Sequence, residues 1–166
     1  MNIIKSQLDF NPIITYYQSP IGFLEIRGTA ENITAIYFVD SETKQSDQVS
    51  TLLAGCVQQL DEYFHHKRWE FDLPLSPQGT SFQQSVWDEL RKIPYGLTVS
   101  YLEIGKRIGN PKAVRAIGSA NGANPIPILI PCHRVIGANG KLVGYGGGIW
   151  RKEWLLKHEQ NILALD

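Results

Sequence analysis

Between Asn124 and Val135 the chain reads Asn124-Pro125-Ile126-Pro127-Ile128-Leu129-Ile130-Pro131-Cys132-His133-Arg134-Val135, three prolines set into an otherwise apolar run before a Cys-His pair. Proline removes a backbone donor and clashes with the preceding helical turn, so this stretch is not a helix. It is expected to be extended, stiff and buried, and to deliver Cys132 and His133 to a fixed place. A free cysteine is more often an inert core residue than a nucleophile. Here a titratable imidazole and a cation follow it directly, a setting in which a thiolate forms more easily. An unperturbed thiol has a pKa of about 8.5, so little of it is ionised at neutral pH. A base that takes the proton, directly or through one water, removes that limit.

A histidine acting as base needs a partner that fixes its tautomer. Trp150, Trp154, Leu155, Ile162 and Leu163 mark an amphipathic C-terminal helix that carries Glu159. Spacing alone leaves Glu159 either as that partner or as a solvated helix charge. Gly144-Tyr145-Gly146-Gly147-Gly148 is expected to be a mobile loop whose backbone can approach a flat ligand, or else a plain surface loop. It lacks the strand-to-helix setting of a phosphate cradle.

The fold class is α+β. Ile13 to Tyr17, Phe23 to Arg27 and Ile33 to Val39 are short β-rich runs, the first two separated by the turn signal Ser19-Pro20-Ile21-Gly22. A small N-terminal antiparallel sheet follows from them. Val49, Leu52, Leu53, Cys56, Leu60 and Phe64 then recur at helical spacing from about Asp47 to His65, which makes Cys56 a packing residue. Ser76 to Thr80 is a linker candidate, so a boundary is expected between residues 1–78 and a mostly helical part, 79–166. In that second part Phe82, Val86, Trp87 and Leu90 form one helix face. Ser100 and Glu103 form a capping box for a helix running to about Ile108. Gly109-Asn110-Pro111 supplies a stop, an N-cap and a first-turn proline for a second short helix. Val114, Ile117 and Ala113 are expected inward on it, with Lys112, Arg115 and Ser119 outward. Two such helices joined by a tight turn match a helix-turn-helix.

Charge supports that match. The formal net charge is +0, but residues 1–80 hold five Lys/Arg against ten Asp/Glu, and residues 81–166 hold eleven against six. A basic half attracts polyanions whatever the whole-chain balance. With 43% hydrophobic residues the chain can build a core without staples, and its two cysteines do not resemble a secreted disulfide scaffold. Cys56, His65 and His66 lack zinc-ligand spacing, so no metal is expected. No run is long enough to span a bilayer, and the N-terminus lacks a signal peptide's apolar stretch. These features lead to an expectation of a cytoplasmic protein.

Taken together, Pro131-Cys132-His133-Arg134-Val135, the proline-spaced run before it, Arg115-Ala116-Ile117-Gly118 upstream and Lys152-Glu153-Trp154-Leu155-Leu156 with His158-Glu159 downstream resemble the O6-alkylguanine-DNA alkyltransferase family. The similarity is close over residues 80–160 and looser in the strand-rich half, where it implies a ribonuclease-H-like domain. It implies that Cys132 irreversibly accepts an alkyl group from O6-alkylguanine, with O4-alkylthymine a further candidate substrate, after the base is flipped out of duplex DNA. His133 would be the water-linked base and Glu159 its orienting partner. Tyr101 would donate toward the departing guanine, and Asn124 would brace the turn before the acceptor. Arg115 would enter the duplex, with Ser100, Lys112, Ala113, Ala116 and Ser119 along the DNA face. Val135, Tyr145, Gly146, Gly147 and Trp87 would surround the base. The resemblance implies a stand-alone monomer that needs no cofactor. Gly146 replaces a serine found in some members, and Gly122 replaces a basic residue.

Three other functions fit parts of the pattern: a non-catalytic binder of DNA damage, a thiol hydrolase built on Cys132, His133 and Glu159, and a helix-turn-helix regulator. The presence of Cys132 argues against the first. Single turnover separates the family reading from the second, and dependence on the lesion rather than on base sequence separates it from the third.

Overall fold

The computed structural model describes residues 11–43 and 45–163, with the side chains of 161–163 left aside, so the expected inward positions of Ile162 and Leu163 lie outside the described side chains. Three strands, β1 (Ile13–Ser19), β2 (Gly22–Gly28) and β3 (Ile33–Val39), form an antiparallel sheet in the order β1-β2-β3. The hairpin between β1 and β2 closes at the pair Ser19↔Gly22. Gly22 has φ +110°, a conformation that side chains disfavour, and Ser19 Oγ donates to its carbonyl at 2.6 Å. Helix α1 (Thr51–Phe64) packs across β1 with Leu53, Cys56, Leu60, Tyr63 and Phe64 buried. Cys56 is a core residue, as its spacing predicts, and burial pushes its thiol up to about 12. Ser50 caps α1, so Val49 falls before the helix and is 92% exposed; it is not on the apolar face.

Residues Ser76 to Thr80 are not a loose tether. Leu75 bridges to Ile33, Ser76 N–H donates to the Ile33 carbonyl, and Thr80 forms a capping box with Gln83 at the start of α2 (Ser81–Leu90). Trp87 of α2 is buried and donates through Nε1 to the Ala120 carbonyl at 2.8 Å.

A two-residue strand β4 (Val99–Ser100) leads into α3 (Tyr101–Arg107), and α4 (Val114–Gly122) packs against it. Ser100 Oγ caps α3 by accepting from Glu103 N–H. The reciprocal half of the expected capping box is missing because the Glu103 carboxylate turns forward to Arg107, 3.2 Å away. The expected N-cap also moves. Asn110 to Ala113 form a turn, and α4 starts at Val114 behind Ala113 without a side-chain cap. That shift of register puts Val114 out in solvent at 39% exposure and leaves Ile117, Ala120 and Asn121 as the buried face. Gly105 lets the helices meet closely, since a Cβ there would lie 3.0 Å from the Asn110 carbonyl and 3.2 Å from Ile117. The chain then passes through a 3-10 turn at Cys132–Arg134 into β5 (Val135–Ile136), which pairs in parallel with β4. Helix α5 (Ile149–Leu163) closes the core with Leu155 and Leu156, while Trp150 is 53% exposed rather than inward. The architecture is α+β, and no described helix is long and apolar enough to cross a membrane.

Candidate functional site

The proline-spaced segment is buried from Ile126 to Pro131, as expected, but it is not extended. It folds into a tight turn in which Ile130 N–H donates to the Ile126 carbonyl at 2.9 Å. Ile128 sits at φ +75°, a conformation that costs a branched side chain about 1–3 kcal/mol and needs surrounding structure to hold it. Asn124 supplies that structure. Its Nδ2 donates to the Ile130 carbonyl at 2.7 Å, and its Oδ1 accepts from Ile126 N–H at 3.0 Å. The clasp fixes the chain immediately before Cys132, and Asn124 lies close enough to draw the thiol's pKa down.

His133 follows Cys132 and is fully buried. Its Nε2 lies 2.7 Å from Glu159 Oε1, so Nε2 carries the proton and Nδ1 keeps its lone pair. Nδ1 has no hydrogen-bond partner among the described residues. Glu159 is also fully buried, not solvated. Tyr63 Oη donates to it at 2.8 Å, Gly96 N–H at 3.3 Å, and Arg134 through Nε and Nη2 at 2.9 Å each. Burial opposes its charge, but His133 and Arg134 outweigh burial and hold the carboxyl well below the usual carboxylate range. Arg134 therefore does not serve the sulfur, as its place in the sequence suggests; its guanidinium is used by Glu159 and the Ile93 carbonyl.

Cys132 opens on a cavity of about 230 Å³ whose lining includes Phe38, Asn121, Pro127, Tyr145, Gly146 and Gly147. The thiol is 4% exposed, and burial pushes it up to about 11 despite Asn124 and the Lys152 charge. The resting group is a thiol, contrary to the expectation of ready ionisation. A second cavity of about 320 Å³, between Tyr101, Arg115 and Val143, shares Asn121, Gly122 and Tyr145 with the first. Trp87 lines neither cavity, because it is spent on packing α2 against α4. Val135 is buried on β5 and also lines neither. A further cleft of about 370 Å³ beside Trp69 and Arg91 does not reach Cys132.

The glycine loop is tied down rather than loose. Gly148 N–H donates to the Tyr145 carbonyl, Arg151 Nη1 to Gly147, and Lys152 Nζ to Val143 and Gly144. Lys152 is fully buried, with Nζ 3.5 Å from Tyr101 Oη, and burial lowers its pKa while Cys132 opposes that. Tyr101 Oη donates to the Val143 carbonyl at 2.9 Å. Sequence reading gave Lys152, Tyr63 and Arg151 no role. A signal existed for Lys152, which stands seven residues before Glu159 and so shares its buried helix face. Arg151 joins both halves of the chain by donating to the Ile21 carbonyl at 2.7 Å and lying over the Phe38 ring.

Lys112, Arg115, Ala116 and Ser119 are exposed along α4 and the turn before it, while Ala113 and Ser100 are half-buried. Arg115 borders the second cavity.

The family models described as 6-O-methylguanine DNA methyltransferase, ribonuclease-like domain and DNA binding domain match residues 13–77 and 81–161, respectively. A methylated-DNA–protein-cysteine methyltransferase of Methanosarcina acetivorans is 47% identical over 148 residues, 86% of this chain and 95% of that protein. One from Mycobacterium bovis is 49% identical over 152 residues, covering 89% of this chain and 92% of its own. The Mycobacterium tuberculosis O6-methylguanine methyltransferase superposes with a TM-score of 0.83 at 43% identity, over 94% of this chain and 100% of that one. The same organism's OGT in complex with DNA gives 0.80 at 48% identity, over 88% and 91%.

Proposed function

Because the chain belongs to the 6-O-methylguanine DNA methyltransferase family, we propose that it repairs DNA by moving an alkyl group from guanine O6 onto Cys132 and acts once. The observation that carries this reading is the buried relay behind Cys132: a carboxylate held ionised, an imidazole oriented by it, and an unshared Nδ1 next in sequence to a thiol in a cavity.

In this mechanism the thiol proton passes to His133 Nδ1, directly or through one water, as sulfur attacks the alkyl carbon. The sulfur–carbon bond forms while the carbon–O6 bond breaks, and the electron pair leaves on the purine. Glu159 stabilises the imidazolium that results. Tyr101 turns its hydroxyl from the Val143 carbonyl to donate a hydrogen bond toward the leaving base, with Lys152 beside it. Asn124 keeps the acceptor turn in place. A thioether has no easy hydrolytic exit, so Cys132 is not regenerated, and the displacement needs no cofactor.

The lesion lies inside the duplex, out of reach of a buried thiol, so the nucleotide has to rotate out. We assign Arg115 to the gap it leaves and Lys112, Ala113, Ala116, Ser119 and Ser100 to the surrounding backbone. Val135 would contact the base through its backbone. Residues 1–78 and 79–166 are read as two domains, of which the second binds DNA. The protein is read as a cytoplasmic monomer, because a nucleophilic thiol needs a reducing compartment.

Incubating the protein with duplex O6-methylguanine and measuring intact mass tests this. One methyl per chain on Cys132, with none on Cys132→Ala, is the expected result. Product beyond one equivalent would identify a thiol hydrolase instead, and lesion binding with no added mass a non-catalytic binder.

A further inference from the structure

Arg151 and the turn Ser19-Pro20-Ile21-Gly22 take no part in that mechanism, and none of them lines the cavity at Cys132. Ser19 Oγ accepts from Ile21 N–H at 3.2 Å and donates to the Gly22 carbonyl at 2.6 Å, so one hydroxyl sets the direction of the Ile21 peptide. The Ile21 carbonyl accepts from Arg151 Nε at 2.7 Å, across a separation of 130 residues. From the first turn of α5 the same guanidinium donates through Nη1 to the Gly147 carbonyl at 2.6 Å. Its Cζ lies 4.7 Å from the centre of the Phe38 ring and 4.5 Å from that of Trp150. Phe38 in turn meets Tyr145 edge to face at 6.0 Å, and both residues line the cavity. Gly22 leaves room for this arrangement, since a Cβ there would lie 3.1 Å from Arg151 Nη2. Among the described residues, Arg151 is the one side chain hydrogen-bonded both to residues 1–78 and to the glycine loop.

Resting on the repair reading above, we propose that Arg151 is a positioning residue: it latches the glycine loop to the β1–β2 turn and holds that loop closed over Cys132 during alkyl transfer. Glycine gives a backbone little preference of its own, so a loop with four of them takes its place from its ties. Lys152 secures the start at Gly144, and Gly148 N–H closes onto the Tyr145 carbonyl. The tie that leads out of the loop, at Gly147, is made by Arg151. A guanidinium suits this task because its planar fork bonds two differently placed carbonyls while its face lies on a ring, and an ammonium cannot do both. The closed loop leaves Cys132 4% exposed and sets Tyr145, Gly146 and Gly147 around its cavity. Opening the latch therefore has two effects of opposite sign. The sulfur becomes easier for a small reagent to reach, and transfer slows because one wall of the cavity is out of place.

Labelling with iodoacetamide supplies the first readout, with Cys132 and Cys56 followed separately by peptide mass. Cys56 is 0% exposed in the core and reports loosening of the whole fold. Arg151→Ala is expected to speed labelling of Cys132 by about fivefold or more and to leave Cys56 at its native rate. Single-turnover transfer should fall about tenfold, equally on free O6-benzylguanine and on duplex O6-methylguanine, with affinity for undamaged duplex within about twofold of native. Arg151→Lys keeps the charge but not the fork, so it should move both readouts in the same directions by a smaller factor. It carries the test alone if the alanine variant does not fold. Unchanged labelling of Cys132 in a folded variant would overturn the proposal. So would transfer at the native rate, or Cys56 rising in step with Cys132, which is what general destabilisation produces. Absence of transfer from every lesion by the intact chain would instead bring down the repair reading, and labelling of the two cysteines would still decide whether the latch exists.

Discussion

Glu159 Oε1 and His133 Nε2 lie 2.7 Å apart across a sequence separation of 26 residues, and neither side chain touches solvent. The pair fixes which imidazole nitrogen is free, and with it the direction in which a proton can leave Cys132. Arg134 and Tyr63 complete the shell, so the carboxylate is buried but not isolated.

Removing the carboxylate charge should alter stability and its pH dependence together. Glu159 titrates below the ordinary 4.5 in the folded chain, so its stabilising contribution is complete above about pH 4.5 and is lost as pH falls below that toward the folded value. Glu159→Gln strands the Arg134 charge and should cost about 3–5 kcal/mol at neutral pH. Melting curves from pH 7 to pH 3 should therefore fall less steeply for the variant than for the native chain. Parallel acid limbs would contradict the assignment.

A thiol held up to about 11 by burial predicts two different pH profiles. Alkylation of Cys132 by a small neutral electrophile should be slow at pH 7 and climb with pH toward 11. Transfer from O6-methylguanine should not climb with it, because His133 Nδ1 takes the proton during the attack. His133→Ala should slow transfer about 10²- to 10⁴-fold at neutral pH and bring the two profiles together. Profiles that already coincide in the native chain would count against the relay.

Arg115→Ala is expected to impair transfer from duplex DNA by about an order of magnitude, an inserted side chain being needed to offset unstacking. Free O6-benzylguanine needs no flipping, and its rate should stay near that of the native chain. Equal defects on both substrates would remove Arg115 from its proposed place.

Gly146 and Gly147 are adjacent but should respond oppositely. A Cβ on Gly147 would lie 2.7 Å from the Phe38 ring, whereas one on Gly146 meets nothing closer than the Gly122 carbonyl at 3.9 Å. Gly147→Ala should lower the melting temperature and slow benzyl transfer more than methyl transfer. Gly146→Ser should fold normally and keep methyl transfer within about threefold, since its hydroxyl enters open space. Matched rates for methyl and benzyl lesions, side by side, settle whether the cavity behaves this way.

The sequence by itself determined the elements whose cause is local. The β-rich runs between Ile13 and Val39 and the turn signal within them marked the strands, helical spacing around Leu53 and Leu60 made Cys56 a core residue, and the Pro131-Cys132-His133 run marked the acceptor segment. The family pattern also pointed to Asn124 as the clasp of that segment, and the structure has it bonded to both ends of the turn. What local pattern could not carry was direction in space. The shape of the proline turn depends on one Ile128 torsion held by Asn124, and the start of α4 on how Ile117 docks against Gly105. Trp87 reads equally well as a pocket wall or as core until α4 is packed on it. Only the tertiary structure decided that Glu159 is buried, that Arg134 serves it rather than Cys132, and that Lys152 lies under the glycine loop. These are interactions between groups far apart in the chain. Their energies depend on burial and on the angle at which α5 crosses the acceptor turn, and neither quantity has a signature in residue spacing.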